Sequence, residues 1–115
     1  MPRDIVIIAP DYPDLRHVML AATDFNADLG VRTIMGRAAT QLVAPDGTVV
    51  LTISEPKHIK TPSETDRLLP AGSCQTPFWL VEAWTGSHPD TGQGIRIAQA
   101  YAERVFGRCL VLEQP

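Results

Sequence analysis

The last third of the chain constrains the fold more than any other stretch. An apolar run over 78–84 precedes a polar loop over 85–94, an amphipathic segment over 95–106 and a second apolar run over 109–112. Parallel neighbouring strands need a dozen or more connecting residues, which a helix supplies. The stretch therefore predicts a strand-helix-strand crossover. Its buried helix face is predicted from apolar residues at three- and four-residue steps: Ile95, Ala98, Tyr101, Ala102 and Val105.

The end of this helix is marked by Gly107. Helices commonly end with a glycine in the left-handed conformation. Arg104 and Arg108 also place positive charge beside the exposed carbonyls of the last turn. We therefore expect Gly107 to be the left-handed residue that ends the helix.

The first third of the chain has a similar pattern. A β-branched run over 4–9 is typical of a central strand that is buried on both faces. Helical spacing of apolar residues over 14–29 follows, with Asp11 as the preferred capping residue and Gly30 after the helix. A second strand over 31–35 completes another predicted crossover.

The middle of the chain predicts a hairpin followed by an irregular segment. Segments 40–44 and 48–54 flank Pro45-Asp46-Gly47, a turn in which glycine permits a positive φ. Residues 55–77 form a proline-rich irregular loop. Within it, Thr61-Pro62-Ser63-Glu64 matches a capping box and predicts a short helix.

Together these elements predict a single α/β or α+β domain over residues 1–115. The expected order is β-α-β-β-β-(short helix)-β-α-β, with two main helices and a mixed sheet of about five to six strands. The sheet is expected to be mixed because two crossovers and one hairpin require both parallel and antiparallel pairs.

Composition and cysteine spacing disfavour several classes of function. The net charge of −3 disfavours a nucleic-acid surface, which needs clustered lysine and arginine. Cys74 and Cys109 have no zinc-site or disulfide-framework spacing, and we predict no metal or cofactor. The chain shows no signal peptide or membrane-spanning segment, so we expect no membrane partner and a cytoplasmic location.

Polar residues follow several of the predicted strands. If both crossovers run in the same direction, a ligand would lie at the carboxyl ends of their strands. This rule selects Asp11, Arg37, Ser87, His88 and Asp90 as a binding site for a small polar or anionic ligand. The simpler alternative is that Asp11 and Asp90 cap helices while the other residues are solvated.

Two residues of the apolar run over 78–84 are candidates for partner binding. Strand alternation places Glu82 on the same face as Leu80 and Trp84. A carboxylate in an apolar strand must be paired or hydrogen-bonded, or its pKa rises. Trp84 is a candidate aromatic anchor for a partner, although core packing is the simpler interpretation for an indole.

The sequence favours a small protein-interaction module over an enzyme, and we assign no catalytic residue. The acidic charge and the missing catalytic signature motivate this hypothesis. One concrete form is an immunity- or antitoxin-like protein that blocks a basic partner protein. The alternative is a ligand-binding enzyme or sensor that uses the site around Asp11, Arg37 and His88. A homodimer through an exposed strand edge is compatible with both.

Overall fold

The computed structural model describes residues 3–34, 36, 38–60 and 77–112. This part of the chain contains seven strands and two helices: β1 (Asp4–Ala9), α1 (Arg16–Phe25), β2 (Gly30–Ile34), β3 (Ala39–Val43), β4 (Val49–Ser54), β5 (Lys57–Ile59), β6 (Phe78–Thr85), α2 (Thr91–Arg104) and β7 (Arg108–Leu112). The predicted α+β class and element order are confirmed, with β5 as an additional strand. The short helix predicted after Thr61 lies outside the described residues.

All seven strands belong to one sheet with the order β2-β3-β4-β6-β1-β7, and β5 pairs with the first part of β6. Every pairing among the described strands is antiparallel. The sheet is therefore antiparallel rather than mixed, and the parallel pairs expected from the crossovers are not observed.

In the last third of the chain, the two strands were predicted to be parallel neighbours. The predicted common direction was correct, but the prediction that they are neighbours was wrong. Both β6 and β7 pair antiparallel with β1, so they run in the same direction with β1 between them. This is a split strand-helix-strand arrangement. Strands β1 and β2 also share a direction but lie at different places in the sheet. Because β1 and β6 run in opposite directions, the loops that follow these two strands lie at opposite ends of the sheet.

Both helices pack on one side of the sheet. The core on this side contains Ile5, Ile7, Leu51, Ile53, Val81, Ile97 and Tyr101, each at most 1% exposed. We call the opposite side the far face; on β1 and β6 it carries Asp4, Val6, Ile8, Leu80, Glu82 and Trp84. Its apolar part forms a second cluster of Val6, Ile8, Ile59, Phe78 and Leu80.

Helix α1 is shorter than predicted and packs through smaller side chains. Its buried residues are Val18, Ala21 and Ala22, whereas Met19 and Phe25 are exposed. Asp14, rather than Asp11, satisfies the start of the helix, because its Oδ1 accepts a hydrogen bond from the Arg16 amide at 2.9 Å. The Arg16 guanidinium donates through Nε and Nη2 to Asp14 Oδ2, and these hydrogen bonds lower the pKa of the Asp14 carboxyl.

The end of α2 also differs from the prediction. Phe106, not Gly107, takes the left-handed conformation, with a φ of 57°. The Gly107 amide donates to the Ala102 carbonyl at 2.8 Å and the Phe106 amide donates to Glu103, as in a Schellman motif. A Cβ on Gly107 would lie 2.3 Å from the Ile8 carbonyl oxygen, so the glycine is required by close packing against β1.

The predicted hairpin is confirmed. Strands β3 and β4 pair antiparallel on either side of the 45–47 turn. Asp46 closes the turn by accepting hydrogen bonds from the amide and the hydroxyl of Thr48. Within the described residues, neither helix has the length and apolar character needed to cross a membrane.

Candidate functional site

The five residues predicted to form a ligand site do not gather at one place. Asp11 follows the carboxyl end of β1, whereas Ser87, His88 and Asp90 follow the carboxyl end of β6. Ala9 pairs with Trp79 and Asp4 pairs with Trp84, so these ends lie at opposite rims of the sheet. The rims are separated by about the length of β1, roughly 17–20 Å. Arg37 lies outside the described residues.

The three residues at the β6 rim hold the connection to α2 in place. The Ser87 hydroxyl accepts a hydrogen bond from the Val49 amide at 3.2 Å, and His88 Nδ1 accepts one from the Asp90 amide at 3.1 Å. Asp90 caps α2 through the Gln93 amide at 3.2 Å. These contacts match the simpler alternative of a capped helix start. A ligand-binding role for the three residues stays a prediction.

Glu82 and Trp84, predicted as partner-binding residues, lie together on the far face. They line a cavity of about 220 Å³ that we call the far-face cavity. Its far-face lining is formed by strands β1, β6 and β7: Asp4, Val6, Leu80, Glu82, Trp84 and Leu112. An indole, two carboxylates and an apolar floor therefore surround one concave space.

Backbone contacts fix the position of Glu82. The Ser54 hydroxyl donates to the Glu82 carbonyl at 2.7 Å and accepts from the Glu82 amide at 3.2 Å. The Glu82 side chain is 41% exposed, and its Oε1 lies 3.2 Å from Lys57 Nζ. The Glu82 carboxylate is therefore partly exposed and paired with Lys57. It is not a buried, unpaired charge in an apolar strand.

Trp84 belongs to a row of side chains that crosses the sheet. Arg32 Nε donates to Gln41 at 2.7 Å, and Gln41 Nε2 donates to the Thr52 hydroxyl at 3.3 Å. Thr52 is 1% exposed and pairs with Trp84, which in turn pairs with Asp4. The indole thus lies between a hydrogen-bonded polar row and a carboxylate.

Sequence reasoning missed Asp4, Lys57 and Ser54 as parts of this site. Alternation along β6 identified Glu82 and Trp84, since both lie on one strand. The other three residues come from strands whose pairing with β6 depends on strand order. No motif encodes that order, and the three residues of β5, Lys57–Ile59, include a single apolar residue, too few to form an alternating pattern.

The size and the acceptor groups of the far-face cavity suit one side-chain-sized group. Small-molecule sites usually enclose about 300–1,000 Å³, which exceeds the volume of about 220 Å³ observed here. Among the described residues there is no group of three or more histidine, cysteine, aspartate or glutamate side chains that could hold a metal ion.

The opposite rim of the sheet carries a different, mainly apolar surface. A cavity of about 280 Å³ there is lined by residues that include Pro10, Phe78 and Phe106. Beside the start of β6, Trp79 stacks on His58 with ring centroids 4.7 Å apart and meets Tyr12 edge-on at 5.0 Å. The lining of this cavity includes the cation Arg108 but, unlike that of the far-face cavity, neither a carboxylate nor an indole.

No model of a known protein family matches the chain, and no curated protein or solved structure is significantly similar to it. Any functional conclusion therefore rests on the residues and geometry of the chain itself.

Proposed function

We propose that the protein binds a partner protein through the far face of its sheet and acts without catalysis. The observation that carries this proposal is the far-face cavity, in which Glu82 and Trp84 stand beside Asp4 over an apolar floor. Tryptophan is enriched among the residues that dominate binding energy at protein interfaces. On this face Glu82 is 41% exposed and Trp84 is half-buried, so both side chains are accessible to a partner above an apolar cluster that is at most 6% exposed.

The apolar floor supports a protein partner over a small metabolite. Val6 and Leu80 are at most 5% exposed, so the base of the cavity is already packed and rigid. Preorganised surfaces bind with a smaller entropic cost than mobile ones. A volume of about 220 Å³ admits one side chain of a partner and leaves little room for a cofactor.

The specific form that we propose is an immunity-like protein that blocks a basic enzyme. The net charge of −3 and the carboxylates at the far-face cavity would attract a positively charged surface and speed association. A neighbouring gene would then encode the partner, as a toxin and its antidote must be produced together.

Mixing the chain with the purified product of the adjacent gene tests this proposal. We expect a one-to-one complex at micromolar concentration in titration calorimetry, with loss of the partner's activity on binding. Trp84→Ala should weaken the complex at least tenfold, which corresponds to about 1.4 kcal/mol or more. Phe25→Ala is the matched control, because this exposed aromatic lies on α1 at the other side of the sheet.

Two results would contradict the proposal. Failure to form any complex at micromolar concentration would exclude the adjacent-gene partner. Equal affinity of the wild type and the Trp84→Ala variant would exclude the far face as the binding surface.

The geometry of the sheet does not support the alternative of a small-ligand site. This alternative required groups at the carboxyl ends of β1 and β6 to share one rim, and these strands run in opposite directions.

A further inference from the structure

We infer that the far-face cavity receives a positively charged side chain of the partner, with arginine preferred over lysine. This inference rests on the proposed function and adds the chemistry of the group that enters. It is carried by three features: the placement of the two carboxylates, the ammonium that the chain itself places at Glu82, and the indole of Trp84 on β6.

The two carboxylates stand on neighbouring strands at a spacing that suits a cation between them. Asp4 pairs with Trp84 and Val6 pairs with Glu82, so Asp4 and Glu82 are diagonal neighbours across β1 and β6. Diagonal neighbours on one face of an antiparallel pair lie about 7–8 Å apart. A guanidinium with its five N–H donors can reach acceptors on both sides of such a gap.

Lys57 shows that a cation is accommodated at this carboxylate. Its Nζ lies 3.2 Å from Glu82 Oε1, while the side chains of Lys57 and Glu82 are 60% and 41% exposed. Exposed ion pairs of this kind are weak and screened by salt. The ammonium of Lys57 can therefore be displaced by a better-placed cation from a partner.

Trp84 decides between arginine and lysine. The face of an indole attracts cations, and a planar guanidinium stacks on it more effectively than a compact ammonium. The row that continues through Thr52 and Gln41 supports one side of Trp84, with Thr52 1% exposed. Trp84 is itself half-buried and shares the cavity lining with Asp4 and Glu82.

Chemical-shift titration of the full chain labelled with ¹⁵N tests the inference directly. The probes are the N-acetyl methylamides of arginine, citrulline and lysine. Arginine and citrulline share a shape and differ in charge, and the lysine probe, which should bind more weakly than the arginine probe, tests the preference for a guanidinium. The chain has two tryptophans, and Trp79 contacts Tyr12 and His58 away from the far-face cavity. We expect the arginine probe to shift the Trp84 Nε1–H signal saturably, with less than a tenth of that response to citrulline and no shift of Trp79.

Substitutions make the expected result specific. Glu82→Gln should weaken binding of the arginine probe about fivefold, because it removes an exposed charge pair. Lys57→Ala should instead strengthen binding about two- to fivefold, because the competing ammonium is gone. Glu103→Gln on α2 removes an acid from the opposite side of the sheet and should leave binding unchanged.

Equal responses to the arginine and citrulline probes would overturn the inference, since shape alone would then explain binding. Weaker binding after Lys57→Ala would also overturn it, because lysine would then be part of the site and not a competitor. Trp84→Ala could abolish the complex with the adjacent-gene product while no probe shifts the Trp84 signal. That result would support the far-face interface and contradict the entry of a positively charged side chain into the cavity. If the arginine probe binds as expected and no partner complex forms, the proposed function is contradicted and the arginine site is supported.

Discussion

At the scale of single residues, Phe106 combines a backbone cost with an exposed side chain. It adopts a φ of 57° at the end of α2, and 88% of its surface is accessible. A left-handed conformation costs a residue with a Cβ about 1–2 kcal/mol. The side chain recovers little of this cost through packing, because it lies almost entirely in solvent.

Phe106→Gly should therefore stabilise the protein. We expect an increase of about 1 kcal/mol in the free energy of unfolding, because glycine adopts this conformation without the Cβ clash. A higher urea midpoint with an unchanged slope would show it. Phe106→Ala keeps the Cβ and should bring no gain. A gain of the same size in both variants would show that the aromatic ring, and not the backbone, is the source of the cost.

This helix end shows what sequence could predict at the residue scale. The predicted segment ended at Phe106 and α2 ends at Arg104, so the end was placed within two residues, because glycine and charge mark helix ends. The left-handed residue was not predicted correctly, because Gly107 is needed for its close approach to the Ile8 carbonyl, a contact between distant parts of the chain. In the far-face cavity, alternation likewise found Glu82 and Trp84, while Asp4 required knowledge of strand pairing.

At the scale of elements, the start of α2 lies almost in contact with β4. A Cβ on Gly94 would lie 2.6 Å from the Val50 carbonyl oxygen and 3.1 Å from the Thr85 Cγ2. The oxygen belongs to the backbone of a buried strand and cannot move without displacing the strand. Helical periodicity predicted this helix, but periodicity carries no information on how closely a helix approaches a sheet. The helical spacing over 14–29 likewise predicted Met19 and Phe25 on the buried stripe of α1, whereas both are exposed.

Gly94→Ala should destabilise the domain by about 1–3 kcal/mol, as expected for overpacking. Thermal unfolding followed by far-ultraviolet circular dichroism measures the effect. Gly30→Ala is the control, because an added Cβ there meets only the Val43 carbonyl oxygen, at an ordinary distance of 3.8 Å. Comparable losses in both variants would contradict the close-packing explanation.

At the scale of the whole molecule, Tyr101 connects the two halves of the helical layer. Its hydroxyl donates to the Pro13 carbonyl at 2.6 Å, and the residue is fully buried. Burial raises the pKa of Tyr101, because the phenolate would lose its hydration. The neutral phenol is thus favoured in the folded protein, and its contribution to stability is complete below the unfolded pKa of about 10. That contribution is lost as pH rises above this value.

Tyr101→Phe tests this dependence. At neutral pH the variant should be less stable by about 1–2 kcal/mol, because the Pro13 carbonyl loses its donor. Above about pH 10 the gap should narrow, since only the wild type must keep a buried phenol protonated. Burial also raises the pKa of Cys109 to about 11, but this thiol is present in both proteins and cancels. A gap that stays constant in urea titrations up to pH 11 would contradict the assignment.

The overall architecture was predictable in its class and element order but not in its strand order. Apolar runs and helical spacing indicated the elements, because those patterns are local. The insertion of β1 between β6 and β7 is not local, and it converts the expected parallel neighbours into antiparallel pairs. This single insertion separates Asp11 from His88 and brings Asp4 beside Trp84.

The central place of β1 also has a consequence for synthesis on the ribosome. Its two neighbours, β6 and β7, belong to the last third of the chain, so the strand emerges long before either can pair with it. The apolar residues Ile5–Ala9 therefore remain without their partner strands at a stage when the hairpin of β3 and β4 can already form. Folding should then be slow and late, and the nascent chain should depend on chaperones that shield this first strand.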